Sequence, residues 1–162
     1  MKKWIWLMVF AFMLSGCSAQ VYETLGEVAH VSATQPPLRS VSLQLPGDAA
    51  VLTSSGGDTM YLCGDYTIAL QTFSAGDLDG TVRRISGYSL ADLTVMESSC
   101  GDHQRYDLVW TAAGEGGDQV CRAAVIDDGN YHYTLTLSGS AASAGQWKQA
   151  WNRLMDTFCL AS

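Results

Sequence analysis

Three histidines, five cysteines and two acidic clusters are the residues of this chain best suited to chemistry, and their spacing limits what they can do. His103 follows Asp102 and is the one histidine with an acidic neighbour. A hydrolase built on it needs a serine brought to the imidazole, and no local motif supplies one. The patterns G-x-S-x-G, H-E-x-x-H and the phosphate-binding loop are missing from the sequence. Gly114-Glu-Gly-Gly-Asp-Gln119 lacks the last glycine of a dinucleotide fingerprint and joins two predicted strands, so it reads as a turn. His132 stands between Tyr131 and Tyr133 on a predicted strand, which turns it to the opposite face from both, as a packed or rim residue. His30 has no acidic neighbour. Asp77-Leu-Asp79-Gly80 and Asp127-Asp128-Gly129-Asn130 each hold two carboxylates near a glycine. Neither continues into a calcium loop with its terminal glutamate, so turn and cap chemistry is expected at both. No metal and no cofactor is expected.

The first cysteine has a different setting. Lys2 and Lys3 precede an unbroken apolar run from Trp4 to Leu14, followed by Ser15-Gly16-Cys17. The run is shorter than the roughly 20 residues of a membrane-spanning helix and has the order of an export signal. Leu14-Ser15-Gly16-Cys17 resembles the lipobox of bacterial lipoproteins, an apolar residue and two small ones before an invariant cysteine. The resemblance implies that the Cys17 thiol carries a diacylglyceryl group and that cleavage leaves Cys17 as the first mature residue. Each buried methylene adds about 0.8 kcal/mol and one acyl chain holds only marginally, so two or three chains make a durable anchor. The same resemblance places the protein outside the cytosol on the cell membrane. With Ser18 rather than aspartate after the cysteine, it implies the outer membrane in a cell that has two.

Cys63, Cys100, Cys121 and Cys159 remain. An even number in an exported chain predicts two disulfides, with three pairings open. Free buried thiols are the second reading; the wide spacing without C-x-x-C counts against a metal. If residues 104 to 113 and 118 to 126 form a hairpin, Cys121 lies opposite Trp110, which makes Cys100–Cys121 the least favoured bridge. Without residues 1–16 the 9 basic and 16 acidic side chains become 7 and 16, a formal charge of −9. Such a surface repels phosphates and anionic headgroups, which excludes nucleic acid as a partner.

The elements that must position these residues are short. The organisation expected is a signal over 1–16, a lipidated tether over 17–37 and one globular domain over 38–162. The tether carries Val21, Leu25 and Val28 at helical spacing, weakened by Gly26. Alternation from Arg39 to Leu45 predicts a strand, and Ala49 to Thr53 a second. Asp58 to Cys63 and Tyr66 to Phe73 are joined by Gly64-Asp65, a tight-hairpin linker. Leu78, Val82 and Ile85 share a helical face between a capping Asp77 and a terminating Gly87. Strands follow at 93–99, 104–113, 119–126 and 131–138, with connections short enough to make neighbours antiparallel. Trp147, Ala150, Trp151, Leu154, Met155 and Phe158 then form one stripe of an amphipathic helix, with Ser143 and Gln146 as a capping box. The two indoles read as core rather than as a cofactor platform, and Trp110 with the sheet tyrosines as cross-strand packing rather than a ligand groove.

Tyr131-His-Tyr-Thr-Leu-Thr-Leu-Ser138, followed by a capped helix ending Asp156-Thr-Phe-Cys-Leu160, resembles the PsbP/Mog1-like fold over residues 38 to 160. The layout is also similar to that of small lipoproteins of anaerobic gut bacteria. The resemblance implies an α+β, α/β/α sandwich: an antiparallel sheet packed by helices and closed by the C-terminal amphipathic helix. It also implies a binding or assembly factor rather than an enzyme. The expectation is a lipid-anchored domain that meets an envelope protein or other ligand outside the cytosol. A small-ligand or ion-binding accessory of a transporter is the alternative, and a hydrolase using His103 the third.

Overall fold

The computed structural model describes residues 36–114 and 116–161. The signal segment, Cys17, His30 and the Val21–Leu25–Val28 stripe lie outside them. Pro36–Ser162 forms one compact unit. Its strands are β1 (Val41–Ser42), β2 (Ala50–Ser55), β3 (Asp58–Cys63), β4 (Tyr66–Ser74), β5 (Thr94–Cys100), β6 (His103–Gly114), β7 (Gly117–Asp127), β8 (Tyr131–Ser140) and β9 (Cys159–Leu160). Its helices are α1 (Leu78–Ser86) and α2 (Ala144–Thr157). Among the described residues no helix is long and apolar enough to cross a membrane.

Short turns make each run of strands fold back on its neighbour. Gly64, at φ 58°, permits the tight reversal that pairs Cys63 with Tyr66. The result is two antiparallel blocks, β2-β3-β4 and β5-β6-β7-β8. They join along β4 and β8, from Tyr66↔Gly139 to Ser74↔Tyr131, giving the order β2-β3-β4-β8-β7-β6-β5. The predicted strand over Arg39–Leu45 is corrected to the two residues of β1, because β9 offers only Cys159 and Leu160 as partners. Leu43 and Leu45 still pack on the core.

Alternation along the strands divides the apolar residues between two faces. Ile68, Ala124, Ile126, Tyr133, Leu135 and Leu137 form one face, covered by Trp147, Trp151, Leu154 and Met155 of α2 and by Phe158. Leu108, Trp110, Ala123 and Val125 form the other, covered by Val82, Leu78 and Ile85 of α1. The architecture is an antiparallel sheet between helical layers. Trp147 and Trp151 stack with ring centroids 3.9 Å apart, buried beside Tyr66. Gly139 of β8 makes room for them: a Cβ there would lie 2.9 Å from both Trp147 Cζ2 and Tyr66 Cβ.

The helix ends follow local chemistry. The Asp77 carboxylate accepts from the Asp79 N–H at 3.2 Å, and Gly87, at φ 79°, donates its N–H to the Arg83 carbonyl at 2.9 Å. The capping box at α2 is not formed. A 3-10 turn over Ala141–Ser143 feeds directly into the helix and holds Ser143 at φ −99°, ψ 0°, without a side-chain cap bond. A capping side chain needs extended backbone.

Candidate functional site

Hydroxyl, imidazole and carboxylate come together where α1 crosses β8. Thr81, in the first turns of α1, and His132 of β8 are hydrogen-bonded, Oγ1 to Nδ1, at 2.7 Å. On the far side of the ring, His132 Nε2 lies 3.7 Å from Asp127 Oδ2. The order is that of a nucleophile, a base and an orienting acid, but the geometry is that of a clamp. The imidazole is 1% exposed, and the carboxylate lies beyond hydrogen-bond distance, with Oδ1 already accepting from the Gly129 N–H at 2.7 Å. Alternation along β8 turned His132 to this face, as its sequence neighbours implied. Thr81 carried no signal, because a threonine inside a helix is ordinary until its partner is known.

His103 stands apart from that cluster. It opens β6, pairs across the turn with Cys100, and no side-chain hydroxyl or carboxylate among the described residues is bonded to its ring. The two acidic clusters serve their own turns. Asp79 accepts from Leu90 N–H at 2.7 Å and Arg83 Nε at 2.6 Å; the Arg83 bond, then the Leu90 bond, hold its carboxyl below the usual range. Asp128 accepts from the N–H groups of Asn130 (2.9 Å) and Tyr131 (2.7 Å) and from the Tyr133 hydroxyl (3.2 Å), and sits 3.7 Å from Arg39 Nε. Burial opposes its charge, but these donors and the Arg39 charge outweigh it and keep the carboxyl below its ordinary value. Among the described residues no three His, Cys, Asp or Glu side chains converge as metal donors would.

The four described cysteines are free thiols, so neither of the two expected bridges is formed in this structure. Cys63 packs in the α2-side core and Cys121 in the α1-side core, so the sheet itself separates them. Cys121 pairs with Trp110, the register anticipated from the hairpin. Burial, then the Asp48 charge, raises the Cys63 thiol above its ordinary value and keeps it protonated.

The surface offers a different kind of site. On the α1 side, the helix packs on β6 and β7 and meets β8 through Thr81 and His132, while β2, β3 and β4 contribute nothing to that core. Met60 and Leu62 alternate onto this bare wing at 38% and 39% exposure, with Ala50 and Thr53 of β2 opposite them in register. β2 is the sheet's edge and is exposed at all six residues, Ala-Val-Leu-Thr-Ser-Ser, with Leu52 in a bulge. It holds no charge, in a chain of formal charge −7. An uncharged edge with exposed apolar side chains is the kind of surface that other chains recognise. Sequence reasoning missed it because alternation marks Met60 and Leu62 as inward-facing and cannot say which wing a helix covers.

No family model matches the chain, and no curated protein matches it in sequence. Solved structures do match in shape. LpqN of Mycobacterium tuberculosis, described as involved in cell envelope biogenesis, superposes with a TM-score of 0.54 at 13% identity, over 80% of this chain and 88% of its own. Cyanobacterial PsbP from Synechocystis superposes with a TM-score of 0.54 at 13% identity, over 85% of this chain and 99% of its own. The fold is PsbP-like. A Bacteroides thetaiotaomicron protein shares it at a TM-score of 0.52 and 14% identity, over 75% of this chain and 45% of that longer one. At these identities, the likeness to PsbP and LpqN is one of architecture: an antiparallel sheet with a C-terminal helix laid across it.

Proposed function

We propose that this chain is a lipid-anchored, extracytoplasmic domain that binds a component of the cell envelope without catalysis. The observation that carries the binding reading is the bare wing: on the α1 side the β2-β3-β4 part of the sheet is left open, with Met60 and Leu62 exposed beside an uncharged edge strand. The export signal and Cys17 supply the location and the anchor, and the involvement of LpqN in envelope biogenesis accords with both. The sealing of His132 and the isolation of His103 favour binding over hydrolysis. A photo-crosslinker placed at Leu62 in the full chain, in its host, is expected to give a discrete adduct with an envelope protein. The same probe at Lys148, on the outer face of α2, should give none. Equal labelling from both positions, or none from Leu62, refutes the docking surface. Intact mass of the isolated protein tests the anchor separately: a diacylated Cys17 at the first position is expected, and a retained leader or bare thiol defeats it.

A small-ligand accessory of a transporter is the second reading. It is favoured by a depression of about 480 Å³ between the Gln44–Gly47 segment and α2, lined by Gln146, Gln149 and Arg153. Thermal-shift screening against metals and metabolites decides it, since a ligand of the native state raises the melting point. A flat response across the panel counts against it.

A further inference from the structure

The four thiols differ in what faces them. Cys63 is fully buried, and Cys121 has Ser138 Oγ at 3.4 Å. Cys100, the last residue of β5, and Cys159, the first of β9, lie in the same part of the α2-side layer. Cys100 packs on the α2-side core that holds Phe158 and Leu160, the residues either side of Cys159, and Cys159 Sγ reaches the Leu160 carbonyl at 3.4 Å. An independent contact holds the two segments together. Arg105 Nη1 donates to the Phe158 carbonyl at 3.0 Å, and the guanidinium is itself gripped by Asp107 at 2.9 and 3.0 Å. The residue before Cys159 is thus fastened to β6, beside the strand that ends in Cys100. Both sulfurs are in half-buried residues, open to a reagent in a way that Cys63 is not.

We propose that Cys100 and Cys159 are a disulfide-forming pair, and that Cys63 and Cys121 remain thiols. The chemistry is exchange with a disulfide oxidant, such as a thiol–disulfide oxidoreductase outside the cytosol or glutathione disulfide in solution. One cysteine, as thiolate, attacks a sulfur of the oxidant and expels one of its sulfurs as a thiol. The second cysteine attacks the mixed disulfide and expels the other. The oxidant's S–S bond breaks and the Cys100–Cys159 bond forms. Two electrons and two protons pass to the oxidant, which leaves as two thiols. The pairing goes beyond the binding reading and does not depend on it; the extracytoplasmic location decides only whether the protein meets such an oxidant in the cell.

The sequence makes the test clean, because trypsin places every cysteine on its own peptide. Cys63 falls in 40–83, Cys100 in 85–105, Cys121 in 106–122, Cys159 in 154–162 and Cys17 in the peptide that ends at Arg39. The full chain is incubated with glutathione disulfide, quenched, denatured, alkylated and digested without reductant. The expected product joins 85–105 to 154–162, two hydrogens lighter than the separate peptides, with Cys63 and Cys121 alkylated. In the Cys100→Ser variant, Cys159 should instead carry glutathione. A different join, separate glutathione adducts on Cys100 and Cys159 of the parent chain, or four alkylated thiols overturns the pairing. Alkylation of living cells before lysis separates the two claims: a bridge made in solution but absent from cells leaves the pair standing and removes the extracytoplasmic location.

Discussion

Replacing Asp128 tests whether a single carboxylate fastens the start of the fold to the β7–β8 turn. Its side chain is 4% exposed, and the hydroxyl of Tyr133 that donates to it accepts in turn from the Arg39 N–H at 2.9 Å. Tyr131 reinforces the join by donating to the Pro36 carbonyl at 2.7 Å. In Asp128→Ala, the exposed Asn130 N–H turns to water at little cost. The Tyr131 N–H and Tyr133 hydroxyl are part-buried, and each loses a bond to a charged acceptor, worth about 1.5–3 kcal/mol. Arg39 is 51% exposed, so the ion pair adds between about 0 and 1 kcal/mol. The expected loss is about 3–7 kcal/mol, or roughly 12–28 °C in melting temperature for a domain of this size. Urea unfolding followed by tryptophan fluorescence reads it, since Trp110, Trp147 and Trp151 are all buried. The pH dependence has a definite sign. The folded carboxyl titrates below its unfolded value, so its contribution is complete above about pH 4 and fades as pH falls through the folded value. The stability gap between the parent and Asp128→Asn should therefore be constant from neutral pH to about 5 and close in stronger acid. A gap below about 0.5 kcal/mol at neutral pH, or one that widens in acid, refutes the reasoning.

Other perturbations probe the two faces. Gly139→Ala inserts a methyl group against Trp147 and Tyr66 and should cost about 1–3 kcal/mol, with a changed near-ultraviolet dichroism from the stacked indoles. Thr81→Val keeps the shape but leaves His132 Nδ1 buried without its partner. About 1–3 kcal/mol should be lost in thermal unfolding and largely restored by Thr81→Ser. Closing Cys100 onto Cys159, 59 positions later, stabilises by at most about 4 kcal/mol through the unfolded chain. The oxidised protein should therefore melt above the reduced one, and Cys100→Ser should abolish the difference. His103→Ala should leave the melting temperature unchanged, since no side chain among the described residues is bonded to its ring.

Local features were legible where their cause is local. Gly64-Asp65 marked a hairpin because only a few linkers reverse the chain in two residues, and Asp77 with Gly87 bounded α1 because both act within one turn of backbone. The stripe from Trp147 to Phe158 marked a buried face, and it is the α2-side core. What could not be read were contacts between distant residues. Tyr66 and Gly139 are 73 positions apart, and nothing in either strand names the other, so the joining of the two blocks is known only from the fold. The same holds for Thr81 with His132 and for the place of Cys100 beside Cys159, which a count of cysteines left among three pairings. The α2 capping box failed for the converse reason: Ser143 has the right type and spacing, but the turn before it takes away the backbone conformation a cap requires.

The pairing of β1 with β9 leaves the two extremities of the described fold side by side, with the Ala161 N–H donating to the Ser40 carbonyl at 2.8 Å. Because the strands run in opposite directions, tension applied at those two points peels the ladder open rung by rung instead of shearing all its bonds at once. A load passing between the ends meets only two paired residues on each strand before it reaches the sheet. The same closeness makes the domain a natural subject for circular permutation: a short linker from Ala161 to Pro36 would spare the seven-stranded sheet, and new termini could open at Gly56-Gly57, between β2 and β3.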